Sequence, residues 1–219
     1  MKSIFRGAID LVEEKKNTYT FILKDKEYQE YFEAIKQFVK VNVERKVAFQ
    51  FEAETLITLK DFLKRETTLS YNECCSLFLD IGEQLKTLSE LGKGYLSIDF
   101  EDIIFIKSDE DNISMIFLNI DESFLVKNNV LEVSKPYKKH EYFSPQMKLI
   151  TQIPTNINYT QNIFYSLSMI VCNCLNSIKF DYRYDDYKKH LDCILETKLY
   201  WALLRCLNDE PEDRFYLFI

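Results

Sequence analysis

The stretch 71–91, YNECCSLFLDIGEQLKTLSEL, constrains the fold more than any other part of this chain. Cys75, Phe78, Leu79, Leu85, Leu88 and Leu91 recur at helical spacing, so the stretch is read as a long amphipathic helix. Ser70 is placed to cap it, and Glu73 three residues later completes a capping box. Gly92 and Gly94 are expected to end it. What lies on either side differs in kind, and that difference sets the fold class.

Upstream, TYTFILK at 18–24 and KVAFQFE at 46–52 are rich in β-formers and read as strands, with a further strand at 55–59. Between them, 26–40 carries Tyr28, Phe32, Ile35 and Val39 at helical spacing. A short helix is predicted over Leu59–Arg65. Downstream, IIFI at 103–106 and ISMIFL at 113–118 flank a polar turn and predict a hairpin. Residues 122–161 read as irregular and polar. Helices are expected at 162–176, 183–195 and 198–207. A strand-rich beginning, one embedded hairpin and a helical remainder give an α+β chain with its elements segregated along the sequence.

Composition removes several classes. With 219 residues, 47% apolar and 15% aromatic, the chain can bury a sizeable core. A formal charge of −7 argues against nucleic-acid binding by bulk electrostatics, and no apolar run is long enough to span a membrane. The beginning, MKSIFRGAIDLVEEKKN, lacks the apolar centre of a signal peptide. Six cysteines with no CxxC spacing, and only His140 and His190 beside them, read as reduced packing thiols rather than disulfides or a metal site. These features suit a cytoplasmic protein. The Lys-, Ile- and Asn-rich, Gly-poor composition suits an AT-rich genome, such as that of a giant DNA virus, an intracellular bacterium or a protist.

The last segment, Arg205–Ile219, holds a Cys-Leu pair, then Pro211 and Arg214, then an apolar end. It resembles the closing segment of a protein-kinase catalytic domain, and the resemblance extends over nearly the whole chain. It implies a bilobal fold, with residues 1–54 as a small strand-rich N-lobe and 55–219 as a minimal helical C-lobe. FILK at 21–24 resembles the kinase strand whose lysine grips the nucleotide phosphates. Lys24 is the candidate lysine, with Glu30 or Glu33 as its partner on the next helix. TLKDFLK at 58–64 resembles the first C-lobe helix. YLSIDFEDIIFI at 95–106 resembles the catalytic loop, and LNID at 118–121 resembles the metal-binding "DFG" segment. Tyr142–Gln146 resembles the end of the activation segment, so Gln146 is expected to hydrogen-bond Arg214. The helix from Asn162 resembles the buried helix that organises the C-lobe. Asn162 itself stands one residue out of register for capping the catalytic loop.

The alignment places other chemistry at the catalytic positions. Ser97 stands where the catalytic aspartate would be, and Asp99 where a phosphate-binding lysine would be. Asp102 replaces the metal-binding asparagine, and Asn119 the metal-holding aspartate. A serine lacks the charge and the basicity to take a proton from an attacking hydroxyl. An aspartate in place of a lysine reverses a charge that would stabilise the transferring phosphoryl group. Asn119 is a weaker Mg²⁺ ligand than a carboxylate, and an offset reading would move the ligand to Asp121. Gly7 is the one glycine near the first strands, so a glycine-rich phosphate loop is absent.

The resemblance therefore implies a degenerate kinase-like protein, a pseudokinase, that acts on a protein partner as scaffold, decoy or allosteric regulator. No cofactor is expected. Were ATP and Mg²⁺ to bind, Lys24, Glu33, Asp102 and Asn119 would hold them. The alternatives are a divergent active protein kinase using Asp99, Asp102 or Asp121, and a helical interaction domain unrelated to kinases. The basic run Lys135, Lys138, Lys139 and His140 reads as a solvated loop. Tyr182, Tyr184 and Tyr187 read as core, cap or partner-facing residues, and Asn158–Thr160 fits a glycosylation acceptor pattern without other signs of secretion.

Overall fold

The computed structural model describes residues 4–109, 112–176 and 187–216. Along the chain run β1 (Ile4–Arg6), β2 (Ile9–Lys15), β3 (Thr18–Leu23), α1 (Gln29–Ala34), β4 (Val41–Arg45), β5 (Ala48–Glu52), β6 (Thr55–Thr58) and α2 (Leu59–Glu66). Then come α3 (Tyr71–Glu90), β7 (Lys93–Gly94), β8 (Ile103–Lys107), β9 (Ile113–Phe117), β10 (Phe124–Lys127) and β11 (Val130–Val133). The chain continues with α4 (Pro145–Leu149), β12 (Thr155–Asn158), α5 (Tyr159–Leu175), α6 (Tyr187–His190) and α7 (Lys198–Cys206). The chain divides into two compact units, residues 1–62 with 100–122, and 63–99 with 123–219. Next to the expected lobes of 1–54 and 55–219, this grouping draws residues 55–62 and the hairpin segment 100–122 into the first unit.

In the first unit, β1-β2-β3-β5-β4 form an antiparallel sheet, and β6-β8-β9 form a second one. Phe21 of β3 stands opposite Phe49 of β5, and with Phe32 and Phe51 they make an aromatic core with neighbouring ring centroids 5.0–6.2 Å apart. All four are fully buried. The expected strand at 46–52 is the second arm of a hairpin whose first arm, β4, has exposed side chains almost throughout. An edge strand of that kind carries no apolar alternation, so its sequence does not announce it. The expected helix at 26–40 is shorter: 3₁₀ turns at Lys26–Tyr28 and Ile35–Phe38 flank α1. Its apolar residues Tyr28, Phe32, Ile35 and Val39 are nevertheless all buried.

In the second unit, α3 has the predicted capping box, with Ser70 Oγ accepting from Glu73 N and the Glu73 carboxylate accepting from Ser70 N. Its buried stripe is Cys74, Leu77, Phe78, Ile81, Leu85 and Leu88, rotated from the expected face, with Cys75, Leu79 and Leu91 at its half-buried margins. Gly92, at φ +76°, ends the helix. Gly94 instead lies in β7, where a Cβ would come within 2.2 Å of Val126 and 2.5 Å of Leu131.

The region 122–161 is more ordered than its polarity suggests. Strands β12-β11-β10-β7 form a sheet, and β10 and β11 are joined by Asn128 and Asn129, both at positive φ. That is the backbone a two-residue hairpin requires, and asparagine tolerates it. The helix expected at 162–176 begins at Tyr159. The helix expected at 183–195 appears as α6 and a 3₁₀ turn at Asp192–Ile194, and its beginning lies outside the described residues. Tyr182 and Tyr184 also lie outside them.

Candidate functional site

The turn between β1 and β2 is the part of the first unit that would face nucleotide phosphates in a kinase-like reading. It is built from Gly7, at φ +32°, and Ala8. The Ala8 amide donates to the Asp121 carboxylate, at 3.0 Å to Oδ1 and 3.2 Å to Oδ2. The Ala8 carbonyl accepts from Lys24 N at 2.8 Å. A Cβ at Gly7 would lie 1.6 Å from Asp121 Oδ2, so glycine is required here by the approach of a carboxylate as well as by φ. The one glycine of this turn thus makes room for an anion that the chain itself supplies.

Lys24 follows β3 directly. Its Nζ stands 2.8 Å from Asp10 Oδ1. Asp10 pairs across the strands with Ile22, and Lys24, two residues on, occupies the diagonal position on the same face. Neither expected glutamate is the partner in this ion pair. Glu33 is exposed and engaged with Gln29 and Lys36, and Glu30 is exposed.

Two tyrosine hydroxyls hold the helical segment instead. Tyr28 Oη donates to the Ile120 carbonyl at 2.9 Å, and Tyr31 Oη donates to the Phe117 carbonyl at 2.5 Å. Tyr31 is fully buried, and burial pushes its phenol well above the usual 10.0, so it remains a donor. The sequence signal was two tyrosines on an apolar helix face, since a buried phenol needs an acceptor. Ile120 is fully buried. Asn119 is half-buried, between Leu118 and Ile120. Asp102 accepts Leu118 N through its backbone carbonyl at 2.9 Å. Glu101 pairs with Lys60 at the surface.

Ser97 and Asp99 belong to the second unit. Ser97 is half-buried between Leu96 and Ile98, which are both buried. Their backbone is fastened to α5: Asn162 Nδ2 donates to the Leu96 carbonyl at 2.8 Å, and Ser166 Oγ accepts from Ile98 N at 3.3 Å. Asn162 Oδ1 also accepts from Ser144 Oγ at 2.7 Å. Asn162 therefore does anchor the loop. Its amide offers a donor and an acceptor at once, which lets it reach the loop from one residue out of register.

Asp99 Oδ2 lies 2.9 Å from His140 Nε2, and His140 Nδ1 accepts from Tyr142 N at 3.3 Å. With Nδ1 accepting, the neutral ring carries its proton on Nε2 and donates it to Asp99. Such a histidine has no free lone pair for general-base work. The basic run thus includes one residue tied to Asp99 in the 95–106 segment, a pairing the sequence did not reveal.

Arg214 is buried. Its Nη1 donates to Gln146 Oε1 at 2.7 Å, its Nε to the Asn208 carbonyl at 2.6 Å, and its Nη2 to the Asp209 carbonyl at 3.0 Å. The guanidinium also stands over the Tyr165 ring, 4.7 Å from its centroid. The Gln146–Arg214 hydrogen bond expected from sequence is present.

Among the described residues, no group of three or more His, Cys, Asp or Glu side chains could hold a metal ion. All six cysteines are free. Burial raises the Cys74, Cys172 and Cys174 thiols far above 9.0, which suits packing rather than reactivity. Asn158 is exposed and caps α5 by accepting from Gln161 N. Among the described residues, no helix is long and apolar enough to cross a membrane.

No protein-family model and no curated protein matches the sequence. Among solved structures, the chain is similar to the kinase domain of PknI from Mycobacterium tuberculosis, with a TM-score of 0.52 at 12% identity. The match covers 94% of this chain and 85% of that one. At that identity the likeness shows the fold, which is α+β and protein-kinase-like. A helical domain unrelated to kinases does not fit it.

Proposed function

We propose that this chain is a pseudokinase: a kinase-like fold that does not transfer phosphate and that works by binding a protein partner, as scaffold, decoy or allosteric regulator. The observation that carries this reading is the Asp121 carboxylate seated on the Ala8 amide. Backbone amides of the first β-turn cradle the phosphates in active kinases. Here a fixed anion holds that amide. A phosphate oxygen arriving about 4 Å from a carboxylate meets a repulsion of about 4 kcal/mol at an effective dielectric of 20.

Other features point the same way. Lys24 would have to leave Asp10 before it could meet a phosphate. Asn119 offers a metal a neutral amide, and Ser97 offers an attacking hydroxyl no base. Asp99, the alternative base, is engaged by His140. Loss of each positioned charge costs about a hundredfold or more in rate. Several such losses together leave little acceleration.

The test is thermal denaturation with ATP, with Mg²⁺ and with both. The midpoint is expected to be the same in all three. A Mg²⁺-dependent rise with ATP that is as large in wild type as in Asp121→Ala counts against the reading, because the carboxylate would then exclude nothing.

A further inference from the structure

A second feature lies within the first unit, away from the β1–β2 turn. An open groove of about 710 Å³ runs between Lys26, Gln29 and Glu33 on one side and the β4–β5 hairpin, Glu44 to Val47, on the other. Its charges are arranged unequally. Lys36 Nζ lies between Glu33 Oε2 at 2.5 Å and Glu44 Oε1 at 2.6 Å, over the rings of Phe32 and Phe49 at 5.5 and 5.9 Å. Gln29 Nε2 donates to Glu33 Oε1 at 2.7 Å. Both carboxylates of the groove are thus already engaged by residues of the chain.

Its cations are not. Lys26, Arg45 and Lys46 are exposed, and none of them has an ion-pair partner among the described residues. Val47, 40% exposed, adds an apolar contact beside them. The turn that carries it is fixed, since Arg45 pairs with Ala48 across the hairpin and the Val47 carbonyl accepts from Leu23 N at 2.8 Å.

We propose that this groove docks a short acidic segment of a partner protein, with one bulky apolar side chain seated on Val47. Charge complementarity selects the occupant. Three uncommitted cations gathered on a chain of net charge −7 attract a carboxylate-rich segment over roughly a Debye length, about 8 Å at physiological salt. A long polyanion such as a nucleic acid would extend past the groove along a chain whose net charge is −7 and be repelled. The Arg45 guanidinium can hold a carboxylate through two hydrogen bonds, which gives the contact direction as well as charge. The inference does not depend on the nucleotide reading, because none of its residues meets the β1–β2 turn.

The test uses the whole chain and a fluorescein-labelled ten-residue peptide of Asp and Glu with a central Phe, read by fluorescence anisotropy. Saturable binding is expected that weakens as salt rises. Arg45→Glu with Lys46→Glu is expected to weaken it at least tenfold, while Lys138→Glu with Lys139→Glu leaves it unchanged. In the wild-type protein, the peptide is expected to shift the Val47 amide resonance. The proposal is overturned by absence of saturable binding, by equal losses in the two charge-reversed variants, by an unmoved Val47 amide, or by an oligothymidylate that binds as tightly.

Discussion

Both carboxylate oxygens of Asp121 face the amide of Ala8, at 3.0 and 3.2 Å, and they fill the space a side chain would need at Gly7. A segment aligned with the kinase metal-binding motif thereby fastens the turn aligned with the kinase phosphate loop. Asp121→Ala removes a charge-assisted hydrogen bond and should cost about 1 kcal/mol, given that the carboxylate is exposed. The Ala8 amide should exchange faster with solvent in that variant. Unchanged exchange would mean the contact does not form in solution.

Tyr31 and Tyr28 fasten the helical segment to the strand-end carbonyls of Phe117 and Ile120. Tyr31→Phe should destabilise the protein by about 1–3 kcal/mol, because a buried carbonyl loses its donor. In urea unfolding, Tyr28→Phe should add to this with a measurable coupling, since both bonds hold the same short segment. A Tyr31→Phe variant as stable as wild type would contradict the assignment.

Some of this was legible in sequence because it depends on local spacing. The capping box of Ser70 and Glu73 and the β8–β9 hairpin were readable in this way, whereas the Gln146–Arg214 bond joins distant residues and was expected only from the resemblance to protein kinases. The partner of Lys24 was not legible, because it depends on which residue of β2 lies diagonally across the sheet. The strands in 122–161 escaped because each arm is four residues long, too short for alternation to stand out, although the Asn128-Asn129 turn was a usable signal. The anchoring by Asn162 was not legible from register, because a buried amide can reach a neighbouring carbonyl that an alignment does not weigh.

Gly82 sits in α3 against Tyr216, whose Oη donates to the Phe78 carbonyl at 3.0 Å. A Cβ at residue 82 would fall 2.0 Å from the Tyr216 Oη. Glycine to alanine inside a helix ordinarily gains about 1 kcal/mol. Here Gly82→Ala should instead destabilise by about 1–3 kcal/mol through overpacking. In the Tyr216→Ala background the same substitution should become neutral or favourable. A thermal melt of the four proteins decides it.

Arg214 is a buried cation with amide and carbonyl acceptors from Gln146, Asn208 and Asp209. Gln146→Glu would give it a carboxylate and should stabilise the fold by about 1 kcal/mol at neutral pH. Arg214→Ala should cost about 3 kcal/mol or more through lost packing and unpaired acceptors. Denaturant midpoints for the two variants should move in opposite directions.

Burial raises Cys74, Cys172 and Cys174 above 9.0, pushes Cys206 up to about 12, and raises Tyr31 above 10.0. Above the ordinary thiol value the unfolded chain releases protons that the folded chain keeps. The stability from these groups is therefore fully present below that value and lost as pH rises toward the raised folded values. Unfolding free energy should fall steadily as pH rises past 9.0, and Cys206→Ala should remove part of the fall. A flat profile through this range would contradict the burial of these thiols.

The most direct test of the central claim is transfer itself. Purified protein is incubated with Mg²⁺ and ATP radiolabelled at the γ-phosphate, beside a Lys24→Ala control and a general acceptor protein. Label in the wild-type reaction is expected to be no higher than in the control. Incorporation by the wild type that Lys24→Ala abolishes would contradict the claim.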